Sequence, residues 1–151
     1  MKVETQIEIQ GTKQAIWSVI TNIANATEHI IGIDKIDILE QPAEGLIGLK
    51  WKEERTMFGK TATEIMWIVE AVENDHYVTR AESHGFIYHC ALRITDHGDG
   101  CLLAMSHSSE AQTLVGKIIG PPMGLIFKGM MKKALQKDLV DIKATVEGTA
   151  A

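Results

Sequence analysis

The chain has 151 residues and a mass of 16.6 kDa, with 45% hydrophobic and 23% charged residues. That balance suits one globular core and excludes a disordered, collagen-like or coiled-coil chain. Fifteen basic residues against twenty acidic ones leave a net charge of −5, which argues against nucleic acid as a partner, because phosphate neutralisation needs a clustered excess of Lys and Arg.

The N-terminus (Met1, Lys2, Val3, Glu4) lacks the apolar core of a signal peptide. Lys117 and Lys128 interrupt the best apolar run, so stable membrane insertion is not expected and the expected location is cytoplasmic. Cys90 and Cys101 are too few for a disulfide framework and have no metal-ligand spacing. They are expected as free thiols.

The first element is a strand, because Val3, Thr5, Ile7 and Ile9 alternate with Glu4, Gln6, Glu8 and Gln10. Gly11 stops it, and Thr12 is placed to cap a helix in which Ile16, Trp17, Ile20 and Ile23 share a face. A second short helix is expected over Ala26 to Ile30. Six strand-like runs follow: Ile36 to Gln41, Ile47 to Thr56, Thr61 to Ala71, Tyr77 to Ser83, Phe86 to Thr95 and Cys101 to Ser109. Asp96, His97, Gly98, Asp99 and Gly100 mark a hairpin between the last two. Strands so closely linked form an antiparallel meander. After Pro121 and Pro122 the period changes, and a helix is expected from about Met123 to Glu147 with Leu135, Leu139, Ile142 and Val146 on one stripe. Phe127, Met131 and Ala134 extend that stripe. From Lys117 to Lys143 there are six lysines and two aspartates. They make either a solvated helix face or a patch for transient contact with anionic headgroups.

This order resembles the START/Bet v 1-like superfamily (SRPBCC), in its polyketide cyclase/dehydrase branch. The matching pieces are Ile7–Glu8–Ile9 with Gly11–Thr12 and Ala15–Ile16–Trp17, then Ile47–Gly48–Leu49–Lys50–Trp51. The Trp67-to-Val72 strand, Gly100–Cys101–Leu102–Leu103 and the long terminal helix complete them. The resemblance spans nearly the whole chain and implies an α+β helix-grip fold: a curved antiparallel sheet of six to seven strands around a C-terminal helix, with two short helices after the first strand. Residues 1–151 would then be a single START-like ligand-binding domain. The resemblance also implies an apolar cavity between sheet and helix, and it supplies no universal catalytic residue and no cofactor.

Parity along the strands nominates the cavity residues. Leu49 and Trp51 set an inward face that brings Glu53 and Arg55 with them, unless the strand end runs out into solvent. A carboxylate and a guanidinium facing an apolar cavity must pair, and Arg55 could otherwise hold a ligand carboxyl group. Cys101, Leu103 and Met105 are the apolar set of the last strand, which turns His107 inward. Tyr88, Cys90, Leu92 and Ile94 do the same on its partner, so His107 should lie near Cys90 or Tyr88. A one-residue slip would instead oppose His107 to His89, and no third ligand stands at a fixed spacing, so no metal site is expected. The Thr61-to-Ala71 run is apolar at both parities, and the resemblance turns Trp67 and Val69 inward. The facing of Glu64 and Glu82 stays open. His29, His76, His84 and His97 are expected at the surface.

Phe127, Met130 and Met131 are expected to close the cavity from the helix, with Met123 and Leu125 nearby. Gly116, Gly120, Gly124 and Gly129 would permit a gate. The expected ligand set is therefore Trp51, Arg55, Trp67, Tyr88, Leu103, Met105, His107, Phe127, Met130 and Met131. The catalytic residues are unknown, with His107, Tyr88 and Arg55 as candidates. The leading function is binding of a small hydrophobic or aromatic ligand such as a lipid, quinone or polyketide-like molecule. The alternatives are a cyclase, aromatase or dehydratase using proton transfer in the same cavity, and a chaperone co-regulator-like interaction module. The oligomeric state is not legible.

Overall fold

The computed structural model describes residues 1–57, 59–112 and 121–148, with side chains of the last segment from residue 127 onward. In chain order the elements are β1 (Lys2–Ile9), α1 (Lys13–Ile20), a 3-10 turn (Ile23–Glu28), β2 (Ile33–Glu40), β3 (Lys50–Met57), β4 (Lys60–Val72), β5 (His76–Ser83), β6 (Phe86–His97), β7 (Gly100–Ala111) and α2 (Pro121–Glu147). The strands form one seven-stranded sheet in the order β1-β7-β6-β5-β4-β3-β2, every neighbouring pair antiparallel. The sheet curves around α2, which is the helix-grip fold. Strands β1 and β2 are the two edges, so α1 and the 3-10 turn must carry the chain from one edge to the other.

Local chemistry fixes these elements. Thr12 caps α1, its hydroxyl accepting from Ala15 N at 3.1 Å. Ile16 and Ile20 then bury their side chains in the core. The second short helix lies earlier than expected, as the 3-10 turn over Ile23–Glu28. The hairpin between β6 and β7 turns at Gly98, whose φ of 56° suits a residue without Cβ. It sets Cys90 opposite His107 and Asp96 opposite Cys101. Both cysteines are free thiols.

The inward parity of β4 is the reverse of the one expected. Val69 is the extra residue of a bulge between the Ile68–Thr79 and Glu70–Val78 pairs. Before the bulge the even positions Glu64, Met66 and Ile68 face inward, and after it Ala71 packs against the core. Trp67 lies on the outer face, where Lys50 Nζ sits 5.6 Å from its ring centroid, and Val69 is exposed. A run apolar at both parities carries no signal for such a switch.

On α2 the core stripe is Leu135, Leu139 and Ile142, with Val146 packed against it. The helix is tied down at its C-terminal end. Lys143 Nζ donates to Glu8 O at 2.5 Å, Glu147 accepts from Gln10 N at 2.8 Å, and Asp141 accepts from Ile31 N at 3.0 Å. Thr5 and Gln136 share a further hydrogen bond. Lys128, Lys132, Lys133 and Lys137 are exposed on the other side. No described helix is long and apolar enough to cross a membrane.

His76 is not a surface residue. It is only 8% exposed, with Nδ1 on Asp75 and Nε2 2.9 Å from Glu70. Those carboxylates, Asp75 first, raise its affinity for a proton.

Candidate functional site

Between the concave face of the sheet and α2 lies a cavity of about 230 Å³. An apolar cavity of about 150 Å³ admits one benzene, so this space suits one or two rings. Its apolar wall includes Ile20, Ile30, Trp51, Met66, Leu92, Met105 and Leu135. Of the expected ligand set, Trp51, Arg55, Tyr88, Met105, His107 and Met131 line it.

The other four do not line it. Trp67 is on the far face of β4. Leu103 faces inward but is fully buried in packing between sheet and helix. Phe127 is 49% exposed, because a helical stripe is buried only where another element lies under it, and the covered part ends near Met131. Met130 is about 100° around the helix from Met131 and so turns from the cavity. The region of the proposed gate, including Gly116 and Gly120 and the side chains of Met123 and Leu125, lies outside the described residues.

Two side chains meet where β6 pairs with β7. The Tyr88 and His107 rings stack with centroids 5.6 Å apart at 29°, and Phe86 extends the stack. Burial, and secondarily the N-terminal amine, lowers the proton affinity of His107. It therefore sits as a neutral imidazole at neutral pH. Burial, reinforced by Glu64, raises the Tyr88 phenol, so it stays a hydrogen-bond donor.

The opposite wall is polar. Arg55 lies between Glu53 and Asp138, with Nε 3.2 Å from Glu53 Oε2 and Nη1 3.1 and 2.9 Å from the two Asp138 oxygens. The strand end thus does not run out into solvent: β3 turns Glu53 and Arg55 into the cavity, and α2 supplies their partner. Burial works to discharge Arg55, but the two carboxylates outweigh it and keep the guanidinium charged. Their oxygens occupy the positions that a ligand carboxylate would need at Nε and Nη1.

Glu64 completes this wall. It stands directly across the β3–β4 ladder from Glu53 and makes no hydrogen bond or ion pair among the described residues. Burial, then Glu53, raises its carboxyl above the ordinary range, with Arg55 opposing. Burial likewise raises Asp138, with Arg55 pulling it back. Trp51 and His29 also line the cavity, and their Nε1 and Nε2 atoms are packed away from it with no hydrogen-bond partner among the described residues. The surface position expected for His29 is corrected accordingly.

Sequence reasoning left Glu64 undecided and missed Asp138. A signal existed for the latter: Asp138 stands three residues after Leu135 and four before Ile142, inside the apolar stripe, and is 7% exposed. A charge on a buried face asks for a partner. No group of three or more His, Cys, Asp or Glu side chains among the described residues is arranged to hold a metal ion.

The comparisons agree with this fold. A START superfamily protein from Mycobacterium smegmatis superposes with a TM-score of 0.79 at 17% identity, over 99% of each chain. A protein from Thermus thermophilus gives 0.80 at 11% identity over 100% of each chain. The Zhui aromatase/cyclase from Streptomyces sp. R1128 gives 0.77 at 14% identity, over 97% of this chain and 93% of that one. At these identities the likeness is one of fold. No curated protein matches the sequence. The family model described as polyketide cyclase/dehydrase and lipid transport matches residues 1–147, and a grip of seven strands on one helix is the architecture such a match requires, so this chain belongs to that family.

Proposed function

We propose that the protein binds a small hydrophobic or aromatic ligand in the cavity between its sheet and α2. The observation that carries this reading is the cavity itself, which is walled largely by aliphatic and aromatic side chains, with polar groups that include the Tyr88–His107 pair and the Arg55 wall. Affinity would come from apolar burial, at roughly 25 cal/mol per Å², and orientation from the polar groups. Trp51, Tyr88, Met105, His107 and Met131 are the proposed contacts, with Arg55 fixing the wall rather than reaching for the ligand.

A second reading is a cyclase- or aromatase-type enzyme, as the Zhui aromatase/cyclase is named. What favours it is the Tyr88–His107 stack, a neutral imidazole beside a phenol donor, facing a cavity that could hold a carbonyl chain. His107 would take a proton and Tyr88 would donate to the oxygen that becomes negative.

Native mass spectrometry of freshly purified protein tests the first reading, a retained small molecule being the expected result. Met131→Trp should fill the space and weaken an apolar fluorescent probe about tenfold or more while far-UV circular dichroism stays unchanged. Parent-like affinity in that variant overturns the assignment of the cavity.

A further inference from the structure

Charge on α2 is segregated. From Phe127 to Lys137 the sequence has four lysines and no acidic residue, within a chain of net charge −5. Lys128, Lys132, Lys133 and Lys137 are all exposed, and none has an ion pair among the described residues. The acidic residues of α2 come later and are engaged there: Asp138 with Arg55, Asp141 with Ile31 N, and Glu147 with Lys143.

Topology sets this stretch at one end of the molecule. α2 runs beside β1 in the same direction, since Gln136 meets Thr5, Lys143 meets Glu8 and Glu147 meets Gln10. Phe127 lies about 13 Å before Gln136 along the helix, and Met1 lies about 13 Å before Thr5 along the strand. The two are therefore level, at the end where β1 starts and β7 finishes, with Met1 bonded to Ser109. Both are apolar and open, Phe127 being 49% exposed and Met1 41%. Glu4 and Glu110, the exposed acids of β1 and β7 near that end, stand on the outer face of the sheet, by the parity that turns Val3, Met105 and His107 inward. The cavity comes close to the same end: Met131, one turn after Phe127, lines it with His107, which pairs with Val3.

We propose that this end of the molecule docks reversibly on an anionic lipid bilayer, with Phe127 and Met1 entering the interface and Lys128, Lys132 and Lys133 against the headgroups. A small apolar anchor joined to a basic patch gives reversible attachment where neither suffices alone. The two exposed apolar side chains favour a bilayer over a nucleic acid, which would meet the lysines and leave Phe127 and Met1 in water. Docking would bring the cavity beside the bilayer, where an apolar ligand is exchanged without crossing water. That use rests on the ligand-binding reading above; the docking itself does not.

Sedimentation with lipid vesicles, with no ligand added, tests the proposal. Phosphatidylcholine vesicles with about 30% phosphatidylserine are expected to carry the protein down at low salt and to release it as salt rises. Pure phosphatidylcholine vesicles are expected to carry none. Each lysine at such a surface is worth about fivefold in binding, so Lys132→Gln with Lys133→Gln should lose about 25-fold. Phe127→Ser should lose about tenfold. Lys35→Gln with Lys52→Gln removes the same charge from β2 and β3 and should bind like the parent protein. Circular dichroism and a urea melt establish that each variant is folded. No binding to the anionic vesicles, equal binding to neutral ones, or a β2–β3 variant as impaired as the α2 pair overturns the proposal. A DNA duplex that binds as tightly as the vesicles assigns the patch to an anionic polymer and overturns it too. Ligand binding survives each of these results, because native mass spectrometry reads it separately.

Discussion

Burial raises the proton affinity of Glu64 and, against the pull of Arg55, of Asp138, and that has a thermodynamic sign. A carboxyl raised in the folded state binds its proton more tightly there than in the unfolded chain. Stability therefore falls as pH rises from the unfolded carboxylate value through the higher folded one. Glu64→Gln should stabilise the protein on the order of 1 kcal/mol at pH 7, and the gain should shrink at pH 4, where the parent is protonated. Urea melts at the two values check it, and a gain independent of pH would contradict the burial argument. Removing the cation acts the other way. Arg55→Leu leaves Glu53 and Asp138 buried without a partner and should cost about 3–5 kcal/mol.

His76 has the opposite sign, because Asp75 and then Glu70 raise its proton affinity. Its contribution is complete below the unfolded value near 6.5 and is lost as pH rises through the higher folded one. His76→Phe should therefore lose about 1–3 kcal/mol at pH 5.5 and less at pH 9. The neighbours in that balance include Arg93, whose charge opposes the proton. Cys90, pushed up to about 12 by burial, should react slowly with iodoacetamide in the native protein. Two thiols should titrate after unfolding without reductant.

Among the elements, α2 is the one whose docking makes the cavity, and Leu139 is the most buried of its described side chains, with none of its surface exposed. Leu139→Ala should cost about 2–5 kcal/mol, with the loss read from urea melts. The ties at Lys143, Glu147 and Asp141 hold the far end of the helix. Its cavity-lining part is held by the Arg55–Asp138 pair and by packing around Met131 and Leu135. At the other edge of the sheet, a Cβ on Gly100 would stand 2.5 Å from Ile9 O. Gly100→Ala must push β7 from β1 and should destabilise by about 1–3 kcal/mol.

For the whole molecule, a ligand that binds only the gripped state raises its stability by mass action. A naphthyl probe at a hundred times its dissociation constant should add about 2.7 kcal/mol to unfolding. Because the cavity walls come from β3, β4, β5, β6, β7 and α2 together, the gain should appear in one cooperative transition. A probe that binds without shifting the urea midpoint would be bound elsewhere.

Much of this architecture is written in the sequence. The alternation of β1, the Gly98 hairpin and the Leu135–Leu139–Ile142 stripe each follow from a local period, and local periods survive whatever the rest of the chain does. The same parity rule turned Tyr88, Met105 and His107 to one face, because β6 and β7 run without a bulge across their shared ladder. Beyond that point only tertiary structure decided. With the β4 bulge at Val69, Trp67 faces outward and Glu64 inward, and an apolar run at both parities holds no record of which residue will be extra. The partnership of Arg55 with Asp138 joins residues 83 positions apart, and nothing local to either one names the other. Glu64 lacks a counter-charge for the same reason: charge balance in a cavity is a property of walls that meet only when the sheet closes on the helix.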